Sequence, residues 1–170
     1  MNPIRVLLAD DHTLFREGVK SILLSAAGRF EIVGLCDINP ERLAGAAQQF
    51  GNPATSQDAG PLLRLTKPDV FCFCTLPSLR LEMIRLGVEV GARLIAYEKP
   101  IALSTNEALE IMRLTRAAGV KTVVSHQHRY GDHYQKVKEI IASGALGRVH
   151  TVYGTATGWM MHMMTHLIDY

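Results

Sequence analysis

The residues best suited to chemistry stand where apolar runs end. Asp10 and Asp11 close the run Ile4–Ala9, Asp37 closes Glu31–Cys36, and Thr75, Leu76, Pro77 and Ser78 follow Val70. Glu98 and Lys99 precede Pro100 after Leu94–Tyr97, and His126 follows Lys121–Ser125. An acid such as Asp37 at a strand end can accept hydrogen bonds from the hydroxyls of a ribose. It can equally serve as the acid at a helix N-terminus, because Asn39-Pro40 follows directly. Lys99 by itself reads as a surface lysine before a turn proline. His162 and His166 lie one helical turn apart, which could form half of a metal site. Two histidines alone do not complete such a site, and no HExxH pattern is present. His126, His128 and His133 crowd another strand end, with a ligand-edge role for His126 and a solvated loop for the other two.

These positions require a scaffold that brings strand ends together. Ile4–Ala9, Glu31–Cys36, Val70–Thr75, Leu94–Tyr97, Lys121–Ser125 and Val149–Gly154 read as strands. Helical patterns separate them. One runs from about Thr13 to Ala26, and another from Asn39-Pro40-Glu41, an N-cap with proline at the first helical position, to about Phe50. A short helix spans Asp58 to Thr66, and Ser78 caps one running to about Val90, with Gly91 ending it. Ser104 and Glu107 fit a capping box opening a helix that ends near Gly119, and Asp132 to Ala145 is the last. Alternating strands and helices predict an α/β fold, a doubly wound parallel sheet with right-handed crossovers. Ligands bind such sheets at the carboxyl edge, where the residues named above stand.

Composition narrows the function classes. The 170 residues suffice for one α/β domain, and the formal net charge of +2 argues against nucleic acid or an anionic membrane as partner. Apolar runs such as Val70 to Leu76 fall far short of the ~20 residues a bilayer span requires. Met1 to Ala9 lacks the layout of a signal peptide. Cys36, Cys72 and Cys74 each lie in an apolar stretch, and their odd number speaks against a disulfide framework. The expectation is a cytoplasmic protein with buried, reduced thiols.

Several segments together resemble the glucose–fructose oxidoreductase / inositol dehydrogenase (Gfo/Idh/MocA) family. They are Glu31-Ile-Val-Gly-Leu-Cys-Asp37-Ile-Asn-Pro-Glu-Arg42, Lys67-Pro-Asp-Val-Phe-Cys-Phe-Cys-Thr75-Leu-Pro77-Ser78, Glu98-Lys99-Pro100, Ser143-Gly-Ala-Leu-Gly-Arg148 and His166-Leu-Ile-Asp169. The resemblance covers about residues 30–170 and implies a Rossmann domain binding NAD in an enzyme acting on a sugar or polyol. It implies Asp37, Thr75, Leu76, Pro77, Glu98 and His126 at the cofactor, with Asp37 favouring NAD over NADP. Lys99, His166 and His162 then take the catalytic positions, Lys99 near the reacting carbon. At His162 the family usually carries an acid.

The first strand and turn depart from this pattern. A Rossmann turn uses glycines for tightness, for close approach of the backbone to the pyrophosphate, and for helix–strand packing. Alignment places Asp10, His12 and Phe15 where those glycines belong. Like charges ~4 Å apart repel by about 1 kcal/mol in water and about 4 at an effective dielectric of 20, so Asp10 and Asp11 together oppose a pyrophosphate by roughly 2–8 kcal/mol. A micromolar site is worth only about 8 kcal/mol, so NAD binding is expected to be weak or lost.

Residues 4–27 resemble instead the opening of a response-regulator receiver domain, in which Asp10 and Asp11 would bind Mg²⁺. There the phosphorylatable aspartate would fall at Cys74, so receiver chemistry is incomplete as well. The chain thus reads as a splice of two doubly wound folds joined near Phe30, of natural or engineered origin. Residues 1–156 form the expected Rossmann-like domain, receiver-like over 1–29, and 157–170 open a C-terminal domain that the chain does not continue. Trp159, Met160, Met161, Met163 and Met164 in that tail suggest self-association as a homodimer.

Overall fold

In the computed structural model, residues 2–10, 18–19, 21–23, 25–26 and 28–155 are described. They fold as β1 (Ile4–Asp10), β2 (Phe30–Cys36), α1 (Pro40–Gln49), β3 (Ala54–Ser56), α2 (Ala59–Thr66), β4 (Val70–Cys74), α3 (Arg80–Glu89), β5 (Leu94–Glu98), α4 (Thr105–Ala117), β6 (Lys121–Ser125) and α5 (Asp132–Ala142). The six strands form one sheet in the order β3-β2-β1-β4-β5-β6, which is Rossmann-like. Strands β3, β2, β1, β4 and β5 pair in parallel. The α/β fold with a doubly wound parallel sheet, expected from the alternation of patterns, is what forms.

Chain reversal in the order places the switch point between β1 and β4. Val6 to Asp10 pair with Val70 to Cys74 in unbroken register. Pairing of β1 with β2 carries an irregularity after Val6, so that Leu7 faces Gly34. A Cβ on Gly34 would lie 3.1 Å from Leu7 Cδ1 and 3.2 Å from its Cγ, so a larger residue here requires the Leu7 side chain to shift.

Alternation along the strands builds a core on each face of the sheet. Leu7, Ala9, Phe71, Phe73, Ile95 and Tyr97 join Leu62, Leu63, Ile84 and Ile111 of the helices on one side. Val6, Leu8 and Leu35 join Leu43 and Ala46 of α1 on the other. The aromatic face is continuous: ring centroids of Phe71 and Phe73 are 4.9 Å apart, those of Phe73 and Tyr97 5.6 Å. Offset aromatic pairs of this kind add about 0.5–1.5 kcal/mol beyond area burial.

Local signals explain most boundaries. The Asn39 side chain accepts hydrogen bonds from Glu41 and Arg42 N–H, and Pro40 begins the helix. Ser104 Oγ accepts from Glu107 N–H, while Glu107 Oε2 accepts from Leu103 N–H. Gly91, at φ +79°, takes the left-handed position after α3.

Two expectations need correction, and one strand was not foreseen. Ser78 does not cap a helix. It lies inside a 3-10 turn, Pro77–Leu79, and α3 begins at Arg80 without a side-chain cap. The short run Ala54–Ser56 is a strand, paired with Gly34–Cys36, although three residues carry no periodicity to reveal it. Val149–Gly154 does not form a strand. Val152 and Tyr153 are exposed, and a β-prone sequence without a partner ladder gains nothing from extension. Of the helix expected over Thr13–Ala26, residues 18–19, 21–23 and 25 are helical, while 13–17, 20 and 24 lie outside the described residues, as does the methionine-rich tail.

Residues 1–124 make one compact unit and 125–170 another. Within the second, α5 follows a turn at Gln127–Tyr130 and buries none of its residues. Among the described residues, no helix is long and apolar enough to cross a membrane.

The packing of α3 gives a direct test. A Cβ on Gly87 would sit 2.7 Å from Ile95 Cδ1 and 3.1 Å from Phe71 Cδ1, both fully buried side chains. Gly87→Val is expected to lower stability by roughly 1–3 kcal/mol, despite removing a helical glycine. Urea unfolding followed by circular dichroism measures it.

Candidate active site at the carboxyl edge of the sheet

Because the strands run parallel, their carboxyl ends share one edge. Asp10 ends β1, Asp37 follows β2, Thr75 and Leu76 follow β4, and Glu98 ends β5 with Lys99 next. The fold therefore brings these sequence-predicted residues to the side where an open α/β sheet binds ligands.

Asp10 is 5% exposed and lies opposite Cys74 in the ladder. The Cys74 thiol is hydrogen-bonded to its carboxylate. Burial, that hydrogen bond and the Asp10 charge push the Cys74 thiol far above its usual range. Burial also pushes Cys36 and Cys72 up to about 11, with help from Asp58 and Asp37 for the first and Asp10 and Glu98 for the second. All three cysteines are free thiols, and none is poised as a nucleophile. Asp11, the expected second Mg²⁺ ligand, lies outside the described residues. Among the described residues no three His, Cys, Asp or Glu side chains gather to hold a metal ion.

Asp37 is buried, and its Oδ1 accepts the Asn39 N–H at 2.8 Å and pairs with Arg42 Nη2 at 3.2 Å. The carboxylate thus braces the start of α1, one of the two readings its sequence context allows. In the turn after β4, the Thr75 hydroxyl is buried without a hydrogen-bond partner. Leu76 is 71% exposed, and Pro77 starts the 3-10 turn.

Lys99 is the unusual cation of this edge. It is 7% exposed, and loss of hydration lowers its amine pKa below the ordinary 10.5, with the Glu98 carboxylate opposing that fall. Glu98 Oε2 also accepts the Lys99 N–H at 3.2 Å. A lysine shifted downward gives up its proton more readily than an exposed one. The reading of Lys99 as a surface lysine is therefore incorrect: strand alternation carries it to the same buried face as Tyr97.

One functional-looking residue was missed. Arg80 is fully buried, its guanidinium carbon 5.5 Å from the Phe73 ring centroid and 5.3 Å from that of Tyr97. Spacing offered the signal, since Arg80, Met83, Ile84 and Gly87 recur on one helical face. His126 belongs to the second compact unit, while His162 and His166 lie outside the described residues.

Residues 16–126 match the Gfo/Idh/MocA family, described as an oxidoreductase family with an NAD-binding Rossmann fold. The chain belongs to that family. The match begins at 16, ahead of Phe30, where the sequence suggested a joint. Among its relatives, D-glucoside 3-dehydrogenase of Escherichia coli (strain K12) is 26% identical over 126 residues, covering 74% of this chain and 36% of that protein. D-apiose dehydrogenase of Paraburkholderia graminis is 31% identical over 117 residues, 69% of this chain and 31% of that one. A WlbA dehydrogenase from Bordetella pertussis, solved with NADH and UDP-GlcNAcA, superposes with a TM-score of 0.76 at 26% identity over 87% of this chain and 45% of the other. Myo-inositol 2-dehydrogenase from Lactobacillus plantarum shares the fold, with a TM-score of 0.77 at 20% identity over 86% and 43% of the two chains. The chain spans about a third of the length of these two curated relatives.

Two expectations follow from the chemistry of this edge. The folded state disfavours the charged Lys99, so the unfolded chain binds more protons between the lowered pKa and 10.5, and stability attributable to this group rises with pH across that window. Lys99→Met should therefore stabilise the protein most at neutral pH, and its advantage should shrink toward pH 10.5 in urea titrations across that range. Alkylation by iodoacetamide at pH 8, read by mass spectrometry, should leave all three cysteines unmodified until the chain is unfolded.

Proposed function

We propose that this chain is the dinucleotide-binding part of an oxidoreductase acting on a sugar or polyol, with NAD bound weakly and Lys99 as the proton-carrying side chain. The observation that carries this reading is Lys99 itself: a buried lysine with a lowered pKa, at the carboxyl edge of a sheet in the order β3-β2-β1-β4-β5-β6. Relatives named for glucoside and apiose oxidation support the substrate class. In this role the amine at Lys99 Nζ takes or returns the proton of a substrate hydroxyl as that carbon changes oxidation state.

The residues fit NAD unevenly. Asp37 is suitably placed for ribose hydroxyls, and the Thr75–Pro77 turn lies on the ligand-binding edge. The end of β1 does not fit a pyrophosphate, because the buried Asp10 stands there as an anion acceptor's opposite: a carboxylate, hydrogen-bonded to Cys74. One such charge ~4 Å from a phosphate is unfavourable by about 1–4 kcal/mol. Catalytic roles for His162 and His166, a cofactor contact for His126, and completion of the substrate site by further protein remain part of the proposal.

A receiver-like Mg²⁺ site is disfavoured by the register that sets Cys74, rather than a carboxylate, opposite Asp10. A thiol is a poor ligand for that hard ion. The oxidoreductase reading therefore stands ahead of it.

Fluorescence titration with NADH tests the proposal. The unaltered chain should bind weaker than roughly millimolar, and replacing Asp10, His12 and Phe15 together by glycine should tighten binding at least about tenfold, equivalent to ~1.4 kcal/mol. Low-micromolar binding by the unaltered chain would contradict the argument from Asp10.

A further inference from the structure

Alternate residues of β4 and β5 share one face of the sheet, where Phe71, Phe73, Ile95 and Tyr97 join the core. Arg80, the first residue of α3, packs on this layer, its guanidinium carbon 5.5 Å from the Phe73 ring centroid and 5.3 Å from that of Tyr97. The side chain is wholly buried, and none of Nε, Nη1 and Nη2 has a hydrogen-bond partner among the described residues. A ring face attracts the cation but supplies no lone pair to its five N–H groups. Guanidinium does not deprotonate in proteins, and a buried charge is costly unless it is paired and hydrogen-bonded.

The acids of this edge do not supply the acceptors. Asp10 follows Ala9 and Glu98 follows Tyr97, so strand alternation carries both carboxylates to the opposite face of the sheet. Glu107 is engaged at the start of α4, where its Oε2 accepts the Leu103 N–H at 3.0 Å. One step toward the carboxyl edge on the Arg80 face come Thr75, two residues after Phe73, and Lys99, two after Tyr97. The Thr75 hydroxyl is buried without a hydrogen-bond partner, and Lys99 is 7% exposed. Guanidinium, hydroxyl and amine thus share one face, all able to donate, while Asp10 and Glu98 stand on the other.

We propose that this face is an anion site, in which a small monovalent anion, a halide or the carboxylate of an organic ligand, lies against the N–H edge of Arg80 with the Thr75 hydroxyl as a second donor. Such an anion neutralises the buried cation and takes up its donor fork. An ion held by a fully buried guanidinium is shielded from water, and its attraction to the charge is correspondingly larger. The site does not depend on Lys99 as proton carrier, nor on NAD.

Urea unfolding at constant ionic strength tests it, with chloride, bromide or acetate replacing the bulkier methanesulfonate. An anion that binds only the folded chain should lower the unfolding constant by up to about tenfold for each tenfold rise in its concentration above its dissociation constant. A response to halides alone assigns the site to an occluded inorganic ion, and a response to acetate as well assigns it to a ligand's carboxylate; both support the proposal. Arg80→Met, an apolar replacement of the kind buried charges often tolerate, should abolish the response. Thr75→Val should weaken the anion's affinity about threefold or more. Stability of the unaltered protein that ignores all three anions, or a response that survives in Arg80→Met, overturns the proposal. Should Arg80→Met fail to fold, crystals of the unaltered protein soaked in bromide decide. An anomalous peak within hydrogen-bond distance of the Arg80 guanidinium is expected, and peaks confined to other places overturn the site.

Discussion

The pairing of β1 with β4 governs the rest of the molecule. Both strands lie inside the sheet, and their side chains feed cores on opposite faces, so helices must cover both sides. The chain winds one way from β1 through β2 to β3 and the other way from β4 through β5 to β6. Connections leave the shared carboxyl edge in opposite directions at this one junction, and a crevice opens there. Asp10 and Cys74 are the last paired residues of the two strands, so they stand at this junction. A ligand bound there would meet a carboxylate and a thiol.

The chain keeps the family's sheet architecture and carries a buried carboxylate, Asp10, at the end of β1. A turn built from glycines offers backbone N–H groups to an anion; a buried carboxylate offers the reverse. Farther along the edge the balance changes sign, with Lys99 buried after β5 and Arg80 buried at the start of α3. An edge negative at β1 and positive beside β5 would orient a polar ligand even without a phosphate cradle.

Sequence reasoning succeeded where a boundary depends on one or two residues acting locally. Asn39-Pro40 and Ser104 with Glu107 are self-contained devices, and each starts its helix as expected. It failed where the outcome depends on distant partners. Ala54–Ser56 becomes a strand because β2 offers it an edge, and Val149–Gly154 does not because no ladder takes up its backbone. At the site, placing Asp10, Asp37, Thr75, Glu98 and Lys99 on one edge required only strand order and direction. The burial of Lys99 was harder to see, since a proline after a lysine resembles a surface turn until strand alternation is followed one residue past Glu98. Arg80 was readable from the spacing of Met83, Ile84 and Gly87, but polarity argued against placing it inside.

Asp37 gives the α1 end of the crevice a further property. The same carboxylate oxygen that accepts the Asn39 N–H also pairs with Arg42, one turn into the helix. Asn39 in turn holds the first free N–H groups of α1. A hydroxylated ligand that draws on Asp37 must share it with this network, and so must perturb or reinforce the helix start. Binding at this corner and fraying of α1 are consequently two sides of one equilibrium, and a ligand there would register as altered amide exchange at Glu41 and Arg42.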